Sequence, residues 1–473
     1  MIASRAFAGK SVALFGLARS GATAARALIE GGARVFAWDD NASARDGVPK
    51  GATVVPFENW PWNEIAALVL SPGVPFTHPA PHPVVVRARD SGVDVIGDVD
   101  LFARFVRPDP MKPGLAPVIA ITGTNGKSTT TALIGHILSL CGFDAQVGGN
   151  IGRGVLDLAP PGKKTVYVLE TSSYQIDLAP HLAADIALLT NLSPDHIDRH
   201  GTMERYVAVK AGLLERAARD GHVVVGIDDS YSASIYSRLA ANDGAEAVAV
   251  SVGKVLGRGI FVIDGRLYDA WGQPAKEIGD LNGAANLPGS HNWQNAALAY
   301  AAVKKLVGDS HMIMDAIKRF PGLAHRIEDV GRIGKVRFIN DSKATNADAA
   351  ARALACFPNI FWIAGGKAKE GGINDLAPFF PRMCKAYLIG DAAEAFGKTL
   401  AGKVENVNDQ TLERALEHAY EDAAHSAVAD PVVLLSPACA SFDQFRDFEQ
   451  RGDAFRDQVK KMMAAKASAG ALV

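Results

Sequence analysis

The chain has 473 residues, 48% hydrophobic and 21% charged, with a formal net charge of −2 at pH 7. One hydrophobic core rarely grows past about 250–300 residues, so this length implies two to four domains, and the composition excludes an intrinsically disordered chain. A near-neutral total excludes a generic nucleic-acid binder, whose footprint is a basic surplus, but leaves room for local basic clusters.

Ser11-Val-Ala-Leu-Phe15 reads as a buried strand, Gly16-Leu-Ala-Arg-Ser-Gly21 as a tight turn, and residues 22–30 as an Ala-rich helix ending at Gly31-Gly32. Arg34 to Trp38 is the next strand, closed by Asp39-Asp40, and residues 67–70 are a third, running into Ser71-Pro72-Gly73. This is the opening of a parallel α/β sheet. The Gly16–Gly21 turn departs from a dinucleotide fingerprint because Ala18 stands where the middle glycine would approach a pyrophosphate. With Asp39 at a strand end, it reads equally as a structural turn or a nucleotide site.

Residues 107–117 hold four prolines and one glycine, the best linker in the chain. A second α/β segment follows. Its strand, 118–121, runs into Ile121-Thr-Gly-Thr-Asn-Gly-Lys-Ser-Thr129, and a helix starts at Lys127. Glycines there turn backbone N–H groups toward an anion, the helix N-terminus adds partial positive charge, Lys127 reaches β- and γ-phosphates, and Ser128 can ligate Mg²⁺. Ile121 occupies the place of the usual first glycine, so the loop is a shortened phosphate loop turning at Gly123.

Further strands are expected at 166–169, 186–189 and 223–226, a hairpin-like stretch at 258–283 and a helix at 296–306. Glu170 ends one strand, where it is either a metal ligand or a solvated carboxylate. Asn191-Leu-Ser-Pro-Asp-His-Ile-Asp-Arg-His200 ends another and is dense enough in charge to be a site. Lys210, taken alone, reads as a solvated surface lysine.

A second break falls at Phe320-Pro321-Gly322. Beyond it, strands at 337–339, 360–364, 386–389 and 432–435 alternate with helices. Three of them end in Asn-Asp-Ser-Lys-Ala-Thr345, Gly-Gly-Lys-Ala-Lys369 and Ser-Pro-Ala-Cys-Ala-Ser-Phe442, small, cationic and hydroxyl residues that suit an anionic ligand. His325-Arg326 puts a fixed cation just past the break. The Ala/Gly-rich C-terminal tail reads as frayed. The four cysteines form no CxxC pair, and no apolar run nears the roughly 20 residues that span a bilayer. A cytoplasmic protein is the expectation.

In this order the motifs resemble the Mur ligase family, from Gly16 to about Phe455. The resemblance implies an α/β fold of three domains. These are a Rossmann-like UDP-binding domain (1–110), a P-loop-type ATP-binding domain with a mostly parallel sheet (111–322) and a Rossmann-like amino-acid-binding domain (323–473). It implies ATP and two Mg²⁺ ions. Gly123, Thr124, Asn125, Gly126, Lys127, Ser128 and Thr129 would hold the phosphates, Asn292 and Asn295 the adenine side, and Arg326 and Asp341 the ribose and phosphates. Ser128, Glu170, His196 and Lys210 would hold metal, Lys210 as a carbamate, which replaces its surface reading. Lys127, His196 and Lys210 would be catalytic.

The C-terminal motifs resemble those of members that add D-glutamate to UDP-N-acetylmuramoyl-L-alanine. Lys343, Thr345, Lys369, Ser441, Phe442 and Phe448 would then hold D-glutamate. Ala18, Arg19, Ser20, Asp39, Ser71, Gly73, Asn150 and Ser173 would hold the UDP substrate. Ala18 and Phe442 replace the family's commoner Gly and Leu. The expected partners are small molecules only, and the expected working state is a monomer. A folylpolyglutamate synthase shares the ATP loop but not a UDP-type domain before it. A P-loop NTPase driving movement would need only 118–320, and a nicotinamide dehydrogenase would need the second glycine that Ala18 replaces here.

Overall fold

The apolar runs become inner strands because their side chains are buried on both faces. Ser11–Phe15, Val118–Thr122, Ile186–Leu189 and Val432–Leu435 are buried throughout, the pattern of a parallel sheet covered by helices on both sides. The computed structural model describes residues 1–109, 112–217, 221–242, 244, 246–272, 274–368 and 371–470, with side chains to 466. It divides into two compact units, 1–283 with 292–319, and 284–291 with 320–473.

The first unit carries two sheets. Among the described residues, one has five strands, all parallel, in the order Ala52–Val54, Arg34–Trp38, Ser11–Phe15, Ile65–Leu70, Val95–Ile96. Chain direction across the sheet reverses between Ser11–Phe15 and Ile65–Leu70. A reversal of this kind opens a crevice at the strands' carboxyl ends, where ligands of open α/β sheets bind. The two loops that border it are Gly16–Gly21 and Ser71–Gly73.

The second sheet has nine strands among the described residues. Its parallel part places Val118–Thr122 between Ile186–Leu189 and Thr165–Glu170. Asp144–Gly149 pairs outside Thr165–Glu170. His222–Gly226 and Glu246–Val252 extend the other side. The hairpin-like stretch becomes Ile260–Ile263, Arg266–Asp269 and Lys276–Asp280, joined by antiparallel pairing.

In the second unit, Val432–Leu435 lies between Val336–Asn340 and Ile360–Gly365, all parallel. Only the edge strand Glu328–Ile333 runs antiparallel among the described residues. The three polar strand ends of this sheet are therefore neighbours.

Several boundaries differ from the sequence reading. The helix after the first turn begins at Arg19, not residue 22, because its opening residues Arg19-Ser20-Gly21 have no apolar period. The helix expected from 296 starts at Ser290, since its first turns bury Asn292, Gln294 and Asn295 rather than apolar groups. The tail is not frayed up to Gly470: the helix Phe448–Gly470 runs through it, and alanine is the best helix former. Among the described residues, no helix is long and apolar enough to cross a membrane.

His222 opens a central strand with its ring 5.1 Å from that of Trp271, and its Nε2 has no hydrogen-bond partner among the described residues. Burial, then the nearby Lys305 cation, pushes its pKa down to about 4. The unfolded chain takes up this proton near the ordinary value, while the folded chain resists to about 4. Stability should therefore fall as pH drops from about 6.5 to 4. Urea midpoints at pH 7 and 5 check this. His222→Phe should remove on the order of 1–2 kcal/mol of the drop, and an unchanged drop would clear His222 as a source.

Candidate active site

The phosphate-type loop is set by two residues with left-handed backbone, Gly123 at φ 140° and Gly126 at φ 82°. A β-carbon at Gly123 would overlap Thr190 Oγ1, and one at Gly126 would overlap Asn295 Oδ1. Only glycine fits both conformation and space. Asn191 clasps the loop: its Oδ1 accepts from Asn125 N at 3.0 Å and its Nδ2 donates to Asn125 O at 3.1 Å. Thr190 Oγ1 donates to the same carbonyl at 2.6 Å, and Thr124 Oγ1 pairs with the Tyr206 hydroxyl at 3.0 Å. Asn295 donates to Asn292 Oδ1 at 3.1 Å and accepts from Thr130 at 3.2 Å, so both asparagines are buried against this helix. Asn191, Thr190 and Tyr206 escaped the sequence reading as individuals, because each is a common residue whose partner is remote in sequence.

Two lysines meet on one carbonyl. Lys127 Nζ donates to Gly123 O at 2.9 Å and Thr124 O at 2.8 Å. Lys210 Nζ donates to Gly123 O at 2.8 Å and Thr122 Oγ1 at 3.2 Å. Ser128 and Thr129 follow in the helix's first turn, Ser128 buried. The solvated-surface reading of Lys210 is wrong: it is 1% exposed and 4.8 Å from the Tyr206 ring centre. The helix Met203–Glu215 turns this position inward. Burial, then the Lys127 charge, holds its pKa well below the ordinary lysine value. A neutral amine in that position is a nucleophile and can take up CO₂ as a carbamate.

Glu170 lies at the adjoining strand end, buried. Its Oε1 accepts from Asn150 Nδ2 at 2.8 Å, while Oε2 is buried with no hydrogen-bond partner among the described residues. An orphaned carboxylate oxygen suits a cation. His196 has left-handed backbone at φ 53°, and its ring lies 5.1 Å from that of Tyr174. Desolvation lowers its pKa, opposed by Asp195 and aided by Lys127 and Lys210, which favours the neutral ring that a metal requires. Among the described residues, no group of three or more His, Cys, Asp or Glu is placed to hold a metal. A carbamate on Lys210 and the Ser128 hydroxyl would supply the missing oxygens.

In the five-stranded sheet, Asp39 holds its own turn, with Oδ2 accepting from Leu17 N at 2.6 Å and Oδ1 from Asn41 N at 2.8 Å. Ala18 caps the helix that carries Arg19 and Ser20. Arg19 donates to Gly152 O, and Ser20 Oγ lies 3.5 Å from Ser71 Oγ. Ser173 is buried with its hydroxyl 2.9 Å from His200 Nε2. Arg199 joins the two sheets' loops. Its guanidinium donates to Pro72 O at 3.0 Å, Val74 O at 2.6 Å and Gly73 O at 3.5 Å, and stands 4.9 Å from the Tyr174 ring centre.

In the second unit, Lys343 Nζ stands 4.2 Å from the Phe448 ring centre. The fully buried Arg451 ties these loops together, donating to Ser342 Oγ at 3.0 Å, Ser342 O at 2.8 Å and Cys439 O at 3.0 Å. Ser342 in turn donates to Phe448 O at 2.8 Å. Thr345 N donates to Lys343 O at 2.8 Å. Asp341 accepts from Ser436 Oγ at 2.8 Å and Ile327 N at 3.2 Å, and burial pushes its pKa up to about 7 against the Arg326 charge. Ser441 is buried, whereas Phe442 is 70% exposed. Lys369 lies outside the described residues.

Residues 121–303 match the Mur ligase middle domain. The chain is 52% identical to the UDP-N-acetylmuramoylalanine–D-glutamate ligase of Caulobacter vibrioides over 98% of both chains. It is 51% identical to the ligase of the same name from Phenylobacterium zucineum, over 99% of this chain and 100% of that one. Among solved structures it resembles UDP-N-acetylmuramate-alanine ligase from Thermotoga maritima, with a TM-score of 0.58 and 16% identity, covering 96% and 99% of the two chains. At that identity the likeness shows the fold.

Arg199→Ala should release the Ser71–Val74 loop, because three carbonyls lose their common donor. Hydrogen exchange of the Val74 amide should quicken by about tenfold, an opening free energy lowered by about 1.4 kcal/mol. Unchanged exchange would mean that the loop holds its shape unaided.

Proposed function

Because the chain belongs to the Mur ligase family, we propose that it is an ATP-dependent ligase joining D-glutamate to UDP-N-acetylmuramoyl-L-alanine, a step of peptidoglycan precursor synthesis. Relatives of about half identity over the whole chain carry that name. The observation that carries the reading to these residues is the meeting of Lys127 and Lys210 on Gly123 O, on the sheet edge that also carries Glu170.

A carboxylate does not condense with an amine in water and must first be activated. The L-alanyl carboxylate attacks the γ-phosphate of ATP, giving an acyl phosphate and ADP. The D-glutamate amine then displaces phosphate through a tetrahedral intermediate. Two anions meet in the first step, so cationic groups lower its barrier. Lys127 serves the phosphates from the loop, where Gly123, Thr124, Asn125 and Gly126 offer backbone N–H groups and the helix from Lys127 adds its positive end. Asn292 and Asn295 serve the adenine side, with Arg326 and Asp341 on ribose and phosphates.

Ser128, Glu170, His196 and Lys210 as a carbamate are the groups that would hold Mg²⁺. When bound, it supplies neutralisation of phosphate charge. A carbamate on Lys210 would be an anion that attracts the Lys127 cation.

Gly16–Gly21 and Ser71–Gly73, with Asn150, receive the UDP substrate at the reversal of the first sheet. Lys343, Thr345, Lys369, Ser441 and Phe448 receive D-glutamate. Lys343 is the fixed cation for one of its carboxylates, and Arg451 positions the loops that carry Lys343 and Ser441. The proposed working unit is a monomer. Its nucleotide substrates put it in the cytoplasm.

The decisive measurement is phosphate release from ATP with UDP-N-acetylmuramoyl-L-alanine and a panel of D- and L-amino acids. Release should require D-glutamate, and equal release with other amino acids would refute the substrate. Lys210→Ala should lose at least a hundredfold in kcat and recover part of it with a short carboxylic acid. Full activity without the acid would remove Lys210 from the site. Lys343→Ala should raise KM for D-glutamate about tenfold or more while KM for ATP stays within twofold. Equal effects on both would contradict its placement.

A further inference from the structure

The first unit also holds a cavity of about 990 Å³, lined by none of the residues discussed so far as binding substrate. Sites for small ligands have this size, with apolar walls and few directed polar groups. Phe105, Pro108, Pro160 and Pro180 give the apolar wall. Arg5, Arg104, Arg107 and Arg216 give cations, and the described lining residues include no Asp or Glu.

Two of these cations are already paired. Arg104 Nε stands 2.8 Å from Asp100, and Arg107 Nη2 stands 2.7 Å from Asp185. Arg216 differs. Its guanidinium folds back along its own helix, with Nη1 at 2.9 Å from where a β-carbon on Gly212 would stand. Its Nε and Nη2 are buried with no hydrogen-bond partner among the described residues. The acids nearby are engaged elsewhere, Asp177 with Arg205 at 3.3 Å and Glu215 with Arg238 at 2.8 Å.

A buried charge without a partner is among the costliest states a side chain can hold. Arginine does not shed its proton to escape the cost. Each such group calls for an explanation, and a bound anion is one. Here the group borders a cavity of ligand size with apolar walls, and Glu215, Asp100 and Asp177 offset its charge through space without bonding its Nε or Nη2. We propose that this cavity binds an amphiphilic small anion, an apolar body whose single phosphate or carboxylate pairs with Arg216. The exposed Arg5 adds a second, weaker attraction.

Isothermal titration of the full chain tests this, with octyl phosphate, octanoate, inorganic phosphate and 1-octanol as probes and ATP and UDP present in excess. One amphiphile should bind at one site per chain, the tighter of the two identifying the head group. Inorganic phosphate and 1-octanol should each bind at least tenfold more weakly. Arg216→Gln should weaken the amphiphile tenfold or more. Ala6→Phe, on an exposed turn at the cavity wall, should do the same by filling space without touching charge. The proposal fails if neither amphiphile binds, if inorganic phosphate binds as tightly, or if Ala6→Phe binds like the wild type.

Discussion

The Gly123 carbonyl accepts from both Lys127 and Lys210, and the chemistry of the first unit depends on that sharing. Two ammonium groups on one oxygen repel each other at a few ångströms, and burial deepens the conflict. Lys127 opens a helix and donates to two loop carbonyls, Gly123 O and Thr124 O. Lys210 is buried, and burial with the Lys127 charge holds its pKa well below the ordinary lysine value. On the proposed reading, this conflict suits one lysine to phosphate and the other to carboxylation. The division holds only while Gly123 stays in its left-handed conformation against Thr190, because that backbone aims the shared oxygen.

The sheets supply the same logic at larger scale. A parallel strand ends with its carbonyl side toward the crevice, and the next residues must turn sharply to enter a helix. Where strand order reverses, neighbouring strands send their helices to opposite faces and leave a gap at their ends. Gly16–Gly21 with Ser71–Gly73 occupies such a gap, and so does the loop after Val118–Thr122 beside Glu170. In the second unit the adjacent ends of Val336–Asn340, Val432–Leu435 and Ile360–Gly365 gather Asp341, Ser436 and Lys367 along one edge. Polar residues that look scattered in the sequence share an edge because the strands before them are neighbours.

That is why so much was legible in advance. A buried parallel strand is an apolar run with a polar or glycine-rich stop, and both halves of the signal are local. What failed to show was non-local. Asp144–Gly149 is an edge strand with two glycines and few apolar residues, so it carries no strand pattern. Lys210 shows a helical period that does not say which face is inward until Tyr206 and Thr122 are placed around it. Asp39 also accepts from two backbone amides, a fact held in turn geometry rather than residue type. Arg199 lay inside a recognised charged loop, but its task, holding a loop more than a hundred residues earlier, is written only in the fold.

The groups left unsatisfied are themselves informative. A folded chain has little stability to spare, and a buried carboxylate oxygen or a displaced lysine proton draws on it. Glu170 Oε2 and the Lys210 amine are such costs, borne on adjoining elements of one sheet edge. Packing offers no compensation, because apolar residues of similar size would be cheaper there. On the proposed reading, a cation would relieve Glu170, a carbamate would replace the amine of Lys210, and the carbamate's oxygens would strengthen the cation's hold. Each repair would make the other more favourable.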